Sequence, residues 1–241
     1  MELQRSARFS ADASHQLKTP VTVLRAGIEE LLAREDLAPE VYHELSALLH
    51  QTYRITGVVD DLLLLSRMDA GRLQVEFEEV NLSQLLEEWI DDISALPDEL
   101  HVKIETNFPA NLLVSGERRY ITLIVQNLLE NALKYNIPNG DICVAAKEQG
   151  EFVVLTVENT GSAIPPSARE HIFERFHRGA IGENIAGHGL GLNLARELAR
   201  LQGGEVRLVR SDLKGTEFEV RFRKAIKPQE VQRKTVSGFT T

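Results

Sequence analysis

Asn127, Asn131, Lys134 and Tyr135 stand four, three and one residues apart in a stretch, 117–135, that reads as a helix. Positions three and four apart share a helix face. Two amide oxygens, an ammonium and a phenol therefore gather on one side, while Ile121, Val125, Leu128 and Ala132 form an apolar stripe on another. Asparagine is a mediocre helix former. The face is either a solvated polar surface or a set of carbonyl oxygens for a hard cation, with Lys134 beside phosphate oxygens.

Three further stretches could carry chemistry. In Gly187-His-Gly-Leu-Gly-Leu192 the glycines let backbone approach a ligand, and the following helix turns its N–H groups toward an anion. The stretch is not a P-loop, because no Gly-Lys-Ser/Thr follows, and no strand leads into it as a dinucleotide fold requires. A glycine loop that only caps a helix fits equally. In Val157-Glu-Asn-Thr-Gly-Ser-Ala-Ile-Pro165, Asn159 could offer a carbonyl to an exocyclic amine and Gly161 a tight backbone beside a flat ring. An ordinary Asn-Thr-Gly turn is the alternative. In Ser14-His-Gln-Leu-Lys-Thr-Pro20, His15 lies off the apolar seam, and an exposed neutral imidazole is a competent nucleophile toward phosphorus. Pro20 bends a helix that runs through it, unless Thr19 caps a helix that starts at Pro20.

The elements that must position these residues follow from periodicity. Leu17, Val21, Leu24, Ile28 and Leu31 are spaced 4, 3, 4, 3, and Val41, Leu45, Leu48, Thr52, Ile55, Val59 and Leu62 resume the rhythm after a break at 34–39. Residues 1–72 thus read as a helical hairpin with a coiled-coil seam. A lone hairpin cannot bury both seams, so two copies are expected to pair as a four-helix bundle; a helical cap on the rest of the same chain is the alternative. Strands are expected over Leu73–Phe77, Val102–Phe108, Asp141–Lys147, Glu151–Glu158, Glu205–Arg210 and Thr216–Phe222. Helices are expected from an Asn81 cap through Ile93, over 117–135, and from the glycine stretch through Leu201, ended by Gly203-Gly204. Without βαβ regularity, this mixture suggests an α/β sandwich over 73–224, one mixed sheet covered by helices. Residues 225–241 show neither period nor core and read as a disordered tail.

Composition removes several classes. No apolar run approaches the ~18 residues of a membrane span, and residues 1–20 hold no signal-peptide core. The single cysteine, Cys143, excludes an intrachain disulfide framework and suits a reducing compartment. The net charge of −9 argues against sequence-independent nucleic-acid binding. It divides unevenly: residues 73–116 carry 1 basic and 10 acidic side chains, whereas 117–224 carry 15 and 14 and stay near neutral, as a polyanion site should. His43 and His50 share a heptad position but stand about 10 Å apart on a helix, too far to hold one metal.

Taken in order, these stretches resemble the cytoplasmic core of a two-component sensor histidine kinase, from about residue 8 to 224. Phe9 to Pro20 resembles the phosphoacceptor H box, Asn127 to Tyr135 the N box, and Val157 to Pro165 the G1 box. Ile172-Phe-Glu-Arg-Phe-His-Arg178 resembles the F box, and Gly187 to Leu192 the G2 box. The resemblance implies a dimerising phosphotransfer hairpin followed by a Bergerat-type ATP-binding domain. His15 would accept the γ-phosphoryl group of ATP and pass it to an aspartate on a response regulator receiver domain. Asn131 would ligate Mg²⁺, with Asn127, Lys134 and Arg178 near the phosphates. Tyr135 would flank the nucleotide, Asn159 and Gly161 would meet the adenine, and Gly187, Gly189, Leu190 and Gly191 would border the triphosphate. Residues 179–188 would form the ATP lid. Relatives carry membrane spans upstream, so the chain would be the cytoplasmic portion of a bacterial inner-membrane protein.

Three positions depart from that pattern. Gln16 stands where the family has an acidic residue; it can orient the imidazole but cannot accept its proton. Asn159 replaces the G1 aspartate and Ala163 its second glycine. Thr19 stands where relatives orient water for dephosphorylating the regulator, which implies phosphatase activity as well. A degenerate docking module remains an alternative. So does a Bergerat-fold ATPase, although Asn127 stands where such an enzyme has its water-activating glutamate.

Overall fold

The computed structural model describes residues 18–34, 36–94, 100–177 and 187–225. The chain divides into two compact units, Met1–Gln74 and Val75–Thr241.

The first unit is a helical hairpin of α1 (18–32) and α2 (Pro39–Asp69). Lys18 and Thr19 are already helical, so the helix does not begin at Pro20 with Thr19 as its cap. Pro39 occupies the first turn of α2, where its missing N–H costs nothing. The helices run antiparallel, with Lys18 Nζ 2.7 Å from Asp60 and the Tyr53 hydroxyl donating to Glu29 at 3.0 Å. The seam splits by heptad position. Ile28, Thr52 and Val59 are buried inside the hairpin, and Thr52 satisfies its hydroxyl by donating to the Leu49 carbonyl at 2.7 Å. The alternate positions are open: Leu24, Leu31, Val41, Leu48 and Ile55 are 42–57% exposed. One chain therefore satisfies one of its two apolar stripes. Among the described residues, no helix is long and apolar enough to cross a membrane.

The second unit is an α/β sandwich. It contains β1 (Glu78–Asn81), α3 (Leu82–Ser94), β2 (Lys103–Asn107), β3 (Leu113–Gly116) and α4 (Arg118–Lys134). There follow β4 (Asp141–Gln149), β5 (Phe152–Asn159), a 3₁₀ turn (Pro166–Ala168), α5 (Gly191–Leu201), β6 (Glu205–Asp212) and β7 (Gly215–Arg223). The main sheet runs β2-β4-β5-β7-β6, with β2 and β4 parallel and the other neighbours antiparallel. Alternation on the strands decides its faces. Ile142, Val144, Val153, Leu155, Phe218 and Val220 point inward with Ile124, Leu128, Leu194 and Leu198 of the helices, all buried. The opposite face carries ion pairs such as Arg207 with Glu219 at 2.8 Å.

Asn81 caps α3, its Oδ1 accepting the Gln84 N–H at 3.3 Å. The strand expected over Leu73–Phe77 is absent. β1 begins at Glu78, and its partner β3 pairs Glu78 with Gly116 and then gives way to α4, so nothing remains for residues 73–77 to pair with. β3 carries no alternation in the sequence and is visible only through that pairing. The segment read as a disordered tail lies, from residue 226 on, outside the described residues.

Candidate active site

The polar face of α4 is covered by the glycine stretch. A Cβ placed on Gly187 would lie 2.1 Å from Lys134 Nζ, and one on Gly191 would lie 2.3 Å from Asn127 Oδ1. Asn127 and Lys134 are two helical turns apart, about 10 Å, so the strip from 187 to 191 runs along α4 and touches it at both ends. The Asn127 amide is oriented: Nδ2 donates to the Leu123 carbonyl at 2.7 Å, which leaves Oδ1 toward Gly191. Asn131 is half-buried between these two points. Lys134 Nζ also sits 4.8 Å from the centre of the Tyr135 ring.

The first turn of α5 has no side-chain cap. Its leading N–H groups lack a side-chain acceptor and begin at Gly191, beside Asn127, an arrangement suited to an anion. Among the described residues there is no group of three or more His, Cys, Asp or Glu side chains able to hold a metal. A hard cation here would take amide oxygen together with ligand phosphate oxygens, the donor set Mg²⁺ accepts. The residues present fit a Mg²⁺–triphosphate.

Asn159 meets the C-terminal end of α4. It is buried to 4% exposure at the end of β5, and its Nδ2 donates to the Tyr135 carbonyl at 3.4 Å. That use of the donor leaves Oδ1 as the acceptor for a ligand amine. Gly161 makes the approach possible: a Cβ there would lie 2.1 Å from the Tyr135 carbonyl oxygen. Thr160 fastens the turn, accepting the Asp141 N–H at 2.7 Å and meeting Asn136 Oδ1 at 3.0 Å.

The segment ahead of the glycine stretch is tied to it. Phe176 donates its N–H to the Gly189 carbonyl at 2.9 Å. Gly189 has φ +71°, and a Cβ there would lie 2.6 Å from the His177 carbonyl, so both its conformation and its neighbours require glycine. Asn193 of α5 donates to the Phe173 carbonyl at 2.8 Å. Phe173 packs edge-on against Phe218 and under Arg196. At the segment's surface, His171 Nδ1 is 2.8 Å from Glu174, whose carboxylate raises the imidazole pKa above its ordinary value.

The structure thus brings Gly187 to Lys134, Gly191 to Asn127, and Asn159 and Gly161 to Tyr135, with Asn131 between Asn127 and Lys134 on α4; Gly189 packs on residues 176 and 177, and Leu190 is buried. Thr19 is exposed on α1, in the other unit. His15, Gln16, Arg178 and most of the expected lid, through residue 186, lie outside the described residues. Sequence reasoning missed Thr216 and Ser211. Thr216 is buried and is the ladder partner of Asn159, and its Oγ1 is 2.7 Å from Ser211 Oγ. Lys214-Gly-Thr216 reads as a plain hairpin turn, and only the β5–β7 register brings it to Asn159.

Comparison with known proteins agrees with both units. The model described as histidine kinase-, DNA gyrase B-, and HSP90-like ATPase matches residues 116–226, and the His Kinase A (phospho-acceptor) domain model matches residues 5–71. The signal transduction histidine-protein kinase/phosphatase MprB of Mycolicibacterium paratuberculosis is 33% identical over 212 residues, 85% of this chain and 40% of MprB. The sensor histidine kinase WalK of Bacillus subtilis is 31% identical over 222 residues, 88% of this chain and 36% of WalK. The chain therefore spans well under half the length of these curated relatives. Among solved structures, full-length ShkA in complex with AMPPNP superposes with a TM-score of 0.76 at 25% identity, covering 92% of this chain and 47% of ShkA. The catalytic domain of the histidine kinase ThkA matches with a TM-score of 0.55 at 26% identity, covering 62% of this chain and 98% of that domain.

Proposed function

The chain belongs to the sensor histidine kinase family as its catalytic core, and from that premise we propose that it phosphorylates itself on His15 with Mg-ATP and passes the group to a receiver-domain aspartate. The observation that carries the ATP half of this reading is the apposition of Gly187 and Gly191 to Lys134 and Asn127. It brings an ammonium, an amide oxygen and an uncapped helix N-terminus onto one small surface.

Bound Mg²⁺ would neutralise phosphate charge and orient the terminal phosphoryl group. Asn131 would supply its protein oxygen. Lys134 and the first N–H groups of α5 would bind non-bridging phosphate oxygens, where fixed positive charge favours the spreading charge of the transition state. Asn159 Oδ1 would accept the adenine amine, held in that sense by the Tyr135 carbonyl. The Tyr135 ring would lie along the base. A His15 ring nitrogen would attack the γ-phosphorus, form the N–P bond and release ADP as the P–O bond breaks. Gln16 cannot take the imidazole proton, so that proton needs an acceptor other than residue 16.

Two copies would form the working unit. The stripe of Leu24, Leu31, Val41, Leu48 and Ile55, open on a single hairpin, is the surface that a second hairpin would cover. Thr19, exposed on α1 and four residues after His15 in the sequence, would orient water for removing phosphate from the regulator. The membrane segments that anchor such sensors would precede the hairpin in the parent protein.

Calorimetric titration of the chain with ATP and Mg²⁺ tests the site. The expected result is saturable binding that requires Mg²⁺ for full affinity and weakens at least tenfold, about 1.4 kcal/mol, in Asn131→Ala. Undetectable binding by the unaltered chain would overturn the reading.

A further inference from the structure

The loop after Asn159 leaves the sheet at one rung and returns at the next. Asn159 is the ladder partner of Thr216, and Thr216 is also the partner of Ser211 on β6. Between them the chain runs out through Thr160–Ala163 and comes back at Ile164, whose N–H donates to Ser211 Oγ at 2.8 Å.

One side chain closes this return. Arg169, just after the 3₁₀ turn, donates from Nε to the Ile164 carbonyl at 3.1 Å and from its guanidinium to the Ser211 carbonyl. Ile164, Ser211 and Arg169 thereby form a closed three-residue ring of hydrogen bonds. Both backbone groups of Ile164 are held. The near end of the loop is fixed separately, by the Asn136–Gly161 bridge and the Thr160 bonds. The far end depends on the ring. The planar guanidinium suits the task, because one group spans two carbonyls on different segments.

We propose that Arg169 is a positioning residue for nucleotide binding, holding the far end of the 159–164 loop so that this wall of the base pocket is set before ATP arrives. The inference rests on the adenine-side reading of Asn159 given above. Arg169 itself touches no nucleotide. Its removal leaves the Asn159, Gly161 and Tyr135 contacts intact but frees the loop beyond them. ATP then has to order that loop on binding, and the cost appears in affinity rather than in the chemical step.

The test compares the full chain with Arg169→Ala, Arg169→Lys and Ser211→Ala, by ATP titration and by autophosphorylation rate against ATP concentration. Arg169→Ala is expected to raise both the dissociation constant and KM for ATP about fivefold, with kcat unchanged, the size expected for ordering a freed loop segment on binding. Arg169→Lys keeps the charge without the two-armed span and should recover part of the loss. Ser211→Ala combined with Arg169→Ala should cost less than the two separate effects multiplied, because both open the same ring. An Arg169→Ala chain that binds ATP as tightly as the unaltered protein, with or without a lower melting temperature, overturns the inference and leaves the ATP reading standing. An unaltered chain that binds no nucleotide overturns both.

Discussion

Gly191 rests on the side chain of Asn127: a methyl group added at residue 191 would come within 2.3 Å of the Asn127 amide oxygen. Gly161 rests on the Tyr135 backbone, its added methyl falling 2.1 Å from the carbonyl oxygen. The two contacts differ in what can yield. Asn127 is a side chain that can rotate, whereas the Tyr135 carbonyl is fixed by the end of α4. Gly191→Ala is therefore expected to keep its melting temperature, since alanine favours a helix by ~0.5–1 kcal/mol over glycine, while displacing Asn127 and weakening ATP binding. Gly161→Ala is expected to lose about 1–3 kcal/mol of stability through overpacking. Thermal melts alongside ATP titrations check the pair; equal losses of stability in both variants would contradict this contrast.

The hairpin makes a second contrast. Leu48 and Ile55 lie on the open stripe, and Val59 lies inside the chain's own hairpin. Leu48→Glu with Ile55→Glu should convert a dimer to a monomer in light scattering while preserving helicity by circular dichroism. Val59→Ala should instead destabilise the hairpin itself, by about 2 kcal/mol. A chain that is monomeric before any substitution would show that the open stripe has some other use.

A third prediction concerns pH. Glu174 raises the pKa of His171 above its ordinary 6.5. A raised folded-state value means that this pair's contribution is complete below the unfolded-state value and is lost as pH rises through the folded-state value. The pair is exposed, so the effect belongs in the titration of the histidine rather than in global stability. An NMR titration should place the His171 midpoint above 6.5, and Glu174→Gln should move it back toward 6.5. An unmoved midpoint would remove Glu174 as the cause.

Much of this arrangement was legible from residue types alone, for identifiable reasons. The face of α4 was readable because helical spacing decides which side chains share a side, and the glycine stretch because close approach leaves few alternatives to glycine. The strand expected over Leu73–Phe77 failed because alternation records a possible strand but not its partner, and β3 stops at Gly116. Thr216 and the ring of Arg169, Ile164 and Ser211 were invisible for the related reason that long-range register creates them. Arg169 and Ser211 are 42 residues apart. The heptads of the hairpin were plain in the sequence, yet only burial separated the stripe used within one chain from the stripe left open.

Incubating the chain with γ-labelled ATP and Mg²⁺, then treating it with acid and with alkali, tests whether the polar face of α4 serves phosphorylation of His15. The expected result is a label that survives alkali, is lost in acid, and is absent from both His15→Ala and Asn131→Ala. A label that persists without His15, or steady phosphate release with no labelled protein, would contradict a role for His15 as the phosphoacceptor.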